Sequence, residues 1–245
     1  MTKVTVFNAI DGQGSAMSSR ERTLSGISLL QPLDPAERAR LEKICTWRTY
    51  SRGQVIIERG SPGSDVIFLV DGVVQIFSLT PGGREVLFGT LAAGEYFGEL
   101  AAIDGLPRSA AARARETALV AILPAIEFRH LLQTHAPIAN DVLERVVRLV
   151  RACDDRIMTL STLTAVQRVY SVLLDMAQPD AAGVGLWVVR PLPPMREIAT
   201  IIATSRETVA RAIGQIRQRD IVRRRDRNLY ILDREKLEEM LRSPE

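Results

Sequence analysis

The chain is 245 residues long, 46% hydrophobic and 25% charged, with a net charge of +3, which leaves room for one large domain or two modest ones with real cores. No apolar run approaches the roughly 18 residues of a membrane-spanning helix, the N-terminal MTKVTVFNAIDGQGSAMSSRER carries no export signal, and two cysteines are too few for a disulfide framework or for an iron–sulfur cluster held by about four thiolates. The expectation is a cytoplasmic protein with no membrane partner and no metal, since His130 and His135 lack the spacing of three or four that stacks two ligands on one helical face.

Residues 1–27, with their Gly, Ser and polar side chains, read as a flexible arm. The stretch ISLLQPLDPAERARLEKICTWRTY reads as a helix started by Asp34-Pro35, with Leu41, Ile44 and Cys45 at helical spacing. From about 49 to 124 the pattern changes. GQVIIE, DVIFLV, VVQIFSL, EVLFGTL and ALVAIL alternate with turns such as RGSPGSD, TPGGRE and IDGLPRS. Short strands at roughly ten-residue spacing predict an antiparallel roll or barrel, and residues 28–138 are assigned to it.

Helix returns near residue 125. No Pro or Gly interrupts 139–177, about 39 residues or roughly 58 Å of helix. Val146, Val150, Cys153, Ile157, Leu160 and Thr164 follow one another at intervals of 4, 3, 4, 3 and 4, the spacing of a coiled-coil seam. Arg148, Arg151, Asp154, Asp155 and Arg156 flank that seam. A helix of this length outgrows one small roll, so residues 139–178 are expected to pair with their twin in a homodimer. QPDAAGVG (178–185) breaks the helix, and 179–245 reads as a second domain.

The second domain carries the charge. Residues 206–227 hold eight arginines and no lysine against Glu207, Asp220 and Asp226. A basic field confined to one end predicts a polyanion partner, and arginine is the cation suited to bidentate contacts with phosphates and guanines. MREIATIIATSRETVARAIGQIRQ has the proportions of a helix-turn-helix. Ile198, Ile201 and Ile202 form the buried face of its first helix, Ser205 caps the second, and Val209, Ile213 and Ile216 form the apolar stripe of the second. Arg206, Glu207 and Arg211 then project near the N-terminal end, where a recognition helix meets base edges. Arginine bridges guanine O6 and N7, and glutamate accepts from cytosine N4. Ser205 and Thr208 are placed to bond phosphates, and RRRDRNLYIL predicts a wing of two short strands. The expected partner is double-stranded DNA.

A DNA-binding end joined by a dimer helix to a strand-rich roll suggests a sensor, and GEYFGELAAIDGLPRSAAAR (94–113) is its candidate site. Gly98 lets backbone approach a ligand closely. Glu99, Leu100 and the residues after them start a short helix whose amides face an anion, and Arg108 and Ser109 supply a charge and a donor for a phosphate. An ionised Glu99 only accepts, so it suits sugar hydroxyls. A phosphate beside a ribose in a small apolar pocket describes a cyclic nucleotide.

FGEL…RSA resembles the phosphate-binding cassette of cyclic-nucleotide-binding domains, and the whole arrangement, over about residues 28–235, resembles the cyclic AMP receptor protein branch of the CRP/FNR family of bacterial transcription regulators. The resemblance implies an α+β fold: a jelly-roll-like cyclic-nucleotide-binding β-roll, a long dimerisation helix and a C-terminal winged helix-turn-helix. It implies that Gly98, Glu99, Leu100, Arg108 and Ser109 hold the cyclic phosphate and ribose. It also implies that Arg206, Glu207 and Arg211 read a TGTGA-like half-site of a palindromic operator as a two-fold dimer. RNA polymerase is the further partner expected of such a regulator. In the resembled branch a Thr-Ser pair on the long helix contacts adenine; counting along the helix, that pair falls at Cys153-Asp154. Asp154 would take one bond from adenine or two from guanine N1–H and N2–H, so cyclic GMP stands beside cyclic AMP as the allosteric effector. The other reading makes Cys153 a seam residue and Asp154 a solvated flank. A regulator of the same fold that is ligand-independent or senses another signal remains the alternative. An enzyme is not expected, because no Ser/His/Asp grouping, Walker loop or metal-spaced acid–base pair is present.

Overall fold

The computed structural model describes residues 22–83, 85–180 and 186–242. These fall into two compact units, 22–148 and 149–242. The fold is α+β, as expected. Among the described residues no helix is long and apolar enough to cross a membrane, and no group of three His, Cys, Asp or Glu side chains is placed to hold a metal ion.

The first unit is a roll of two four-stranded antiparallel sheets. Helix α1 (Pro35–Ile44) begins where Asp34 accepts from the Glu37 amide and Pro35 takes the first helical position. It ends at Cys45, and Thr46–Tyr50 is strand β1, not the helical continuation expected; the β-branched and aromatic residues of TWRTY pair with β8 (Ala118–Leu123) from Thr46↔Ile122 to Tyr50↔Ala118. With β3 (Val66–Asp71) and β6 (Tyr96–Phe97) these strands form one sheet in the order β1-β8-β3-β6. The other, β2-β7-β4-β5, is built from β2 (Val55–Ile57), β4 (Val73–Leu79), β5 (Glu85–Ala92) and β7 (Ala111–Ala114).

Of the expected arm 1–27, residues 1–21 lie outside the described residues, and the rest belongs to the roll. Leu24 and Ile27 are fully buried in its core with Leu41, Phe68, Leu123 and Phe128, and the Leu24 amide donates to Glu42 Oε1 at 2.7 Å. Cys45 packs in the same core, where burial, and after it Glu42, pushes its thiol up to about 12; it stays protonated and acts as a small apolar side chain.

After α2 (Glu99–Asp104) and α3 (Ala125–Thr134), α4 runs over Ala136–Thr162. Pro137 sits in its first turn, where no intrahelical amide bond is lost. Ile138 and Val142 bury into the roll core. Farther along, Leu143, Val147, Val150, Ile157, Met158 and Leu160 are all exposed on the single chain.

The uninterrupted helix expected over 139–177 is two helices. The Leu163 amide makes the final bond of the α4 spiral, to Thr159 O at 3.1 Å. Thr164 is extended, its hydroxyl accepts from the Gln167 amide, and Gln167 Oε1 accepts from the Thr164 amide at 2.9 Å. This capping box starts α5 (Ala165–Met176) afresh. Val169, Tyr170, Val172 and Leu173 of α5 lie in the core of the second unit, so the boundary expected at 178/179 falls too late.

That second unit packs α5, α6 (Met195–Ile201), α7 (Arg206–Gln218) and α8 (Arg234–Arg242) with a sheet ordered β11-β12-β10-β9. Gln178–Pro179 of the expected linker is strand β9, paired with β10 (Trp187–Val189); residues 181–185 lie outside the described residues. β11 (Val222–Arg225) and β12 (Asn228–Ile231) form the expected wing. Arg225 faces Asn228, leaving a two-residue turn in which Asp226 takes a φ of 51°.

Candidate nucleotide and DNA sites

The cassette is assembled around Arg108. Gly98 ends the strand that carries Tyr96 and Phe97 and precedes α2, with a φ of 85°. A Cβ there would stand 2.6 Å from Arg108 Nη1 and 3.0 Å from Asp65 O, so only glycine lets the guanidinium in. Arg108 is 8% exposed. Its Nη1 donates to Gly98 O at 2.9 Å and its Nη2 to Asp65 O at 2.8 Å. Its backbone is pinned as well: the Gly60 amide donates to Arg108 O and the Arg108 amide to Ser61 O. Burial lowers its pKa, offset by the charges of Asp65 and then Glu99. A guanidinium has five N–H donors, so two carbonyl contacts leave it donors for an oxyanion.

Glu99 is only 5% exposed. Among the described residues its carboxylate meets a single cation, Arg145 Nε, 3.5 Å from Oε1, and no hydrogen bond completes it. A buried carboxylate short of donors is costly unless something supplies them. Leu100 is half-buried and Ser109 exposed beside these groups in sequence. Gly98, Glu99, Leu100, Arg108 and Ser109 are therefore all in the roll, as expected.

Three partners were not read from the sequence. The carbonyl of Asp65 orients Arg108. Arg145 of α4 lies with its guanidinium carbon 4.3 Å from the Tyr96 ring centroid and donates from Nη2 to Tyr96 O at 2.7 Å. Tyr96 itself is 4% exposed, and its phenol is pushed up to about 12, by burial first, with Glu99 and Asp141 adding and Arg145 opposing. A signal for Arg145 was present: it follows the buried Ile138 and Val142 at intervals of 4 and 3, on the inward face of α4.

Cys153 and Asp154 lie on α4 in the second unit, both exposed. The seam residues Val150, Ile157 and Leu160 are exposed and Val146 half-buried.

In the second unit, α6 and α7 form the helix-turn-helix. Ile198 and Ile202 are buried and Ile201 half-buried; Val209, Ala212, Ile213 and Ile216 bury the inner face of α7, each of the larger side chains stabilising the unit by about 1.5–3 kcal/mol. Ser205 Oγ accepts from the Thr208 amide at 3.1 Å and lies 3.0 Å from Thr208 Oγ1, so both hydroxyls serve first to start the helix. The outer face presents Arg206, Glu207 and Arg211, all exposed. The Glu207 backbone amide and then the Ser205 hydroxyl donate to the Glu207 carboxylate and hold its pKa below the usual value. Arg223, Arg224, Arg225 and Arg227 are exposed on the wing.

Known proteins match both units. The cyclic nucleotide-binding domain family matches residues 47–135, and the Crp-like helix-turn-helix domain family matches residues 167–240. A CRP-like cAMP-activated global transcriptional regulator of Mycobacterium tuberculosis (strain ATCC 25618 / H37Rv) is 26% identical over 219 residues, covering 89% of this chain and 97% of that protein. The cAMP-activated global transcriptional regulator CRP of Salmonella typhimurium is 27% identical over 184 residues, covering 73% of this chain and 85% of that protein. Among solved structures, FixK2 from Bradyrhizobium japonicum shares the fold with a TM-score of 0.59 at 23% identity, covering 80% of this chain and 97% of that one.

Proposed function

Since the chain belongs to the CRP/FNR family of cyclic-nucleotide-binding transcription regulators, we propose that it is a homodimeric regulator switched by a cyclic purine nucleotide. The observation that carries this reading is the pairing of two buried, opposite charges with unfilled hydrogen-bonding capacity. Arg108 has donors left for a cyclic phosphate. Glu99 is a buried acceptor without donors, suited to a ribose hydroxyl. Ser109 adds a hydroxyl or an amide at the phosphate, and Leu100 an amide at the start of α2.

The dimer reading rests on α4. Its stripe of Leu143, Val150, Ile157 and Leu160, exposed on the single chain, follows heptad spacing, and a second copy is the partner that buries it with Val146 and Cys153. Two-fold symmetry then calls for a palindromic operator. Arg206, Glu207 and Arg211 would read a TGTGA-like half-site on each side, and Ser205, Thr208 and the wing would meet phosphates. The nucleotide acts by differential affinity: it favours the arrangement of the dimer in which both recognition helices reach successive major grooves.

The named relatives are cAMP-activated, which makes cyclic AMP the first effector to test. Asp154, an exposed carboxylate on α4, makes cyclic GMP the second, because guanine offers it two donors where adenine offers one. Calorimetric titration of nucleotide-free protein with each nucleotide decides. The expected result is saturable binding by at least one. Tighter cyclic GMP binding that disappears in Asp154→Ala assigns the guanine contact, and tighter cyclic AMP binding leaves Asp154 a flank. Binding of neither, or full-affinity operator binding without nucleotide, overturns the proposal.

A further inference from the structure

Arg168 of α5 lies where two helix joints meet inside the second unit. Its Nη1 donates at 2.9 Å to Leu163 O, the carbonyl of the residue whose amide closes the α4 spiral. Its Nε donates at 3.1 Å to Ile202 O, and Ile202 caps the C-terminal end of α6 at the turn before α7. Helix-end carbonyls have no amide partner within their own helix, and the negative end of a helix suits a cation. The turn itself is held in an uncommon shape. Ala203, directly after Ile202, takes a φ of 54°, a region that a residue with a Cβ keeps only when its surroundings hold it there. The bond from Arg168 to Ile202 O fixes the Ile202–Ala203 peptide plane, from which that φ is measured.

Apolar packing alone leaves the angle between these joints loose. Val169, Tyr170 and Leu173 of α5 share one core with Val209, Ile213 and Ile216 of α7, but hydrophobic contact is non-directional. A guanidinium is planar and its N–H groups point in fixed directions, so two bonds from one fork relate two carbonyls in angle as well as in distance. One of those carbonyls moves with α4, which starts in the roll core at Ile138 and Val142 and ends at Thr162, next to Leu163. The other belongs to the turn that aims α7. We infer that Arg168 is the positioning residue of the helix-turn-helix: it ties the end of α4 to the turn before α7, so that operator affinity follows the state of α4. This rests on the nucleotide-switch reading above.

The readout is a ratio that a merely structural role would not move. Full-length wild type, Arg168→Met and Arg168→Lys are titrated by fluorescence anisotropy with a duplex carrying two TGTGA-like half-sites, without nucleotide and with saturating cyclic AMP. If the wild type binds cyclic GMP alone, cyclic GMP replaces it. Coupling of an ordinary allosteric size makes the wild type bind the duplex at least about fivefold tighter with nucleotide than without. In Arg168→Met that ratio is expected to fall toward one, whichever of the two affinities changes. Arg168→Lys, which restores the charge but not the fork, is expected to recover part of it. Nucleotide affinity, titrated with and without the duplex, should give the same ratio in each protein, because coupling is reciprocal. Should Arg168→Met fail to fold, Arg168→Gln replaces it. A variant that loses duplex affinity equally with and without nucleotide, keeping the wild-type ratio, overturns the inference and leaves the switch reading standing. A wild type that binds nucleotide but holds the duplex equally well without it overturns the switch reading itself.

Discussion

The two functional regions handle charge in opposite ways. In the roll, Arg108 and Glu99 are 8% and 5% exposed and fixed by backbone and side-chain contacts. In the helix-turn-helix unit, Arg206, Glu207, Arg211 and the wing arginines stand in solvent. A small anion can be engulfed, so the cassette uses a few charges in a medium that screens them little. A duplex cannot be engulfed, so the second unit spreads many screened charges over a surface and gains by counterion release. The cassette should therefore be sensitive to single substitutions and tolerant of salt, and the DNA face the reverse.

The largest effect tests the buried side of that contrast. Arg108→Ala removes the cation proposed for the phosphate and takes its donors from Gly98 O and Asp65 O. Losing one partner of a buried charged contact costs about 3–5 kcal/mol, so calorimetry should show nucleotide affinity falling by more than about 100-fold. Retention of affinity within tenfold would break the comparison at its strongest point.

An intermediate effect is expected from Arg206→Ala. A bidentate contact to a base is worth about 1–3 kcal/mol of discrimination. Operator binding should weaken by roughly tenfold or more while binding to unrelated duplex changes little. Equal loss on both sequences would move Arg206 to the phosphate-binding set.

The smallest effect is expected on the wing. Arg224→Ala should weaken operator and non-operator DNA about alike and reduce the slope of log affinity against log salt by about 1. Nucleotide affinity, titrated over the same salt range, should change far less than DNA affinity. A nucleotide affinity that falls as steeply would show that the cassette is open to screening and that the two regions do not differ as their burial implies.

Much of this was legible locally. Asp34 and Ser205 cap helices by bonding an amide three residues on, and β-branched runs such as DVIFLV became strands. The FGEL and RSA segments, ten residues apart, did meet as one cassette. Other misreadings came from signals that were present and outweighed. TAVQ at 164–167 is a capping box, but the absence of Pro and Gly over 139–177 suggested one helix. The apolar residues Leu24 and Ile27 were folded into an arm because Gly and Ser surround them.

What the chain decides by itself, then, is whatever acts over a few residues. Periodicity sets the exposed face of α4, caps set the start of α7, and turn chemistry sets the wing. It also decides which chemical groups are available: Gly98 and Glu99 ten and nine residues before Arg108, and a run of arginines near the C-terminus. The tertiary structure decides the rest, because it depends on partners distant in the chain. AARA (111–114) has little strand preference of its own and became β7 because β2 and β4 present edges to pair on either side. Glu99 is an acceptor short of donors only because the roll buries it. Arg145 reaches it only because Ile138 and Val142 seat the start of α4 in the roll core, turning that face of the helix inward.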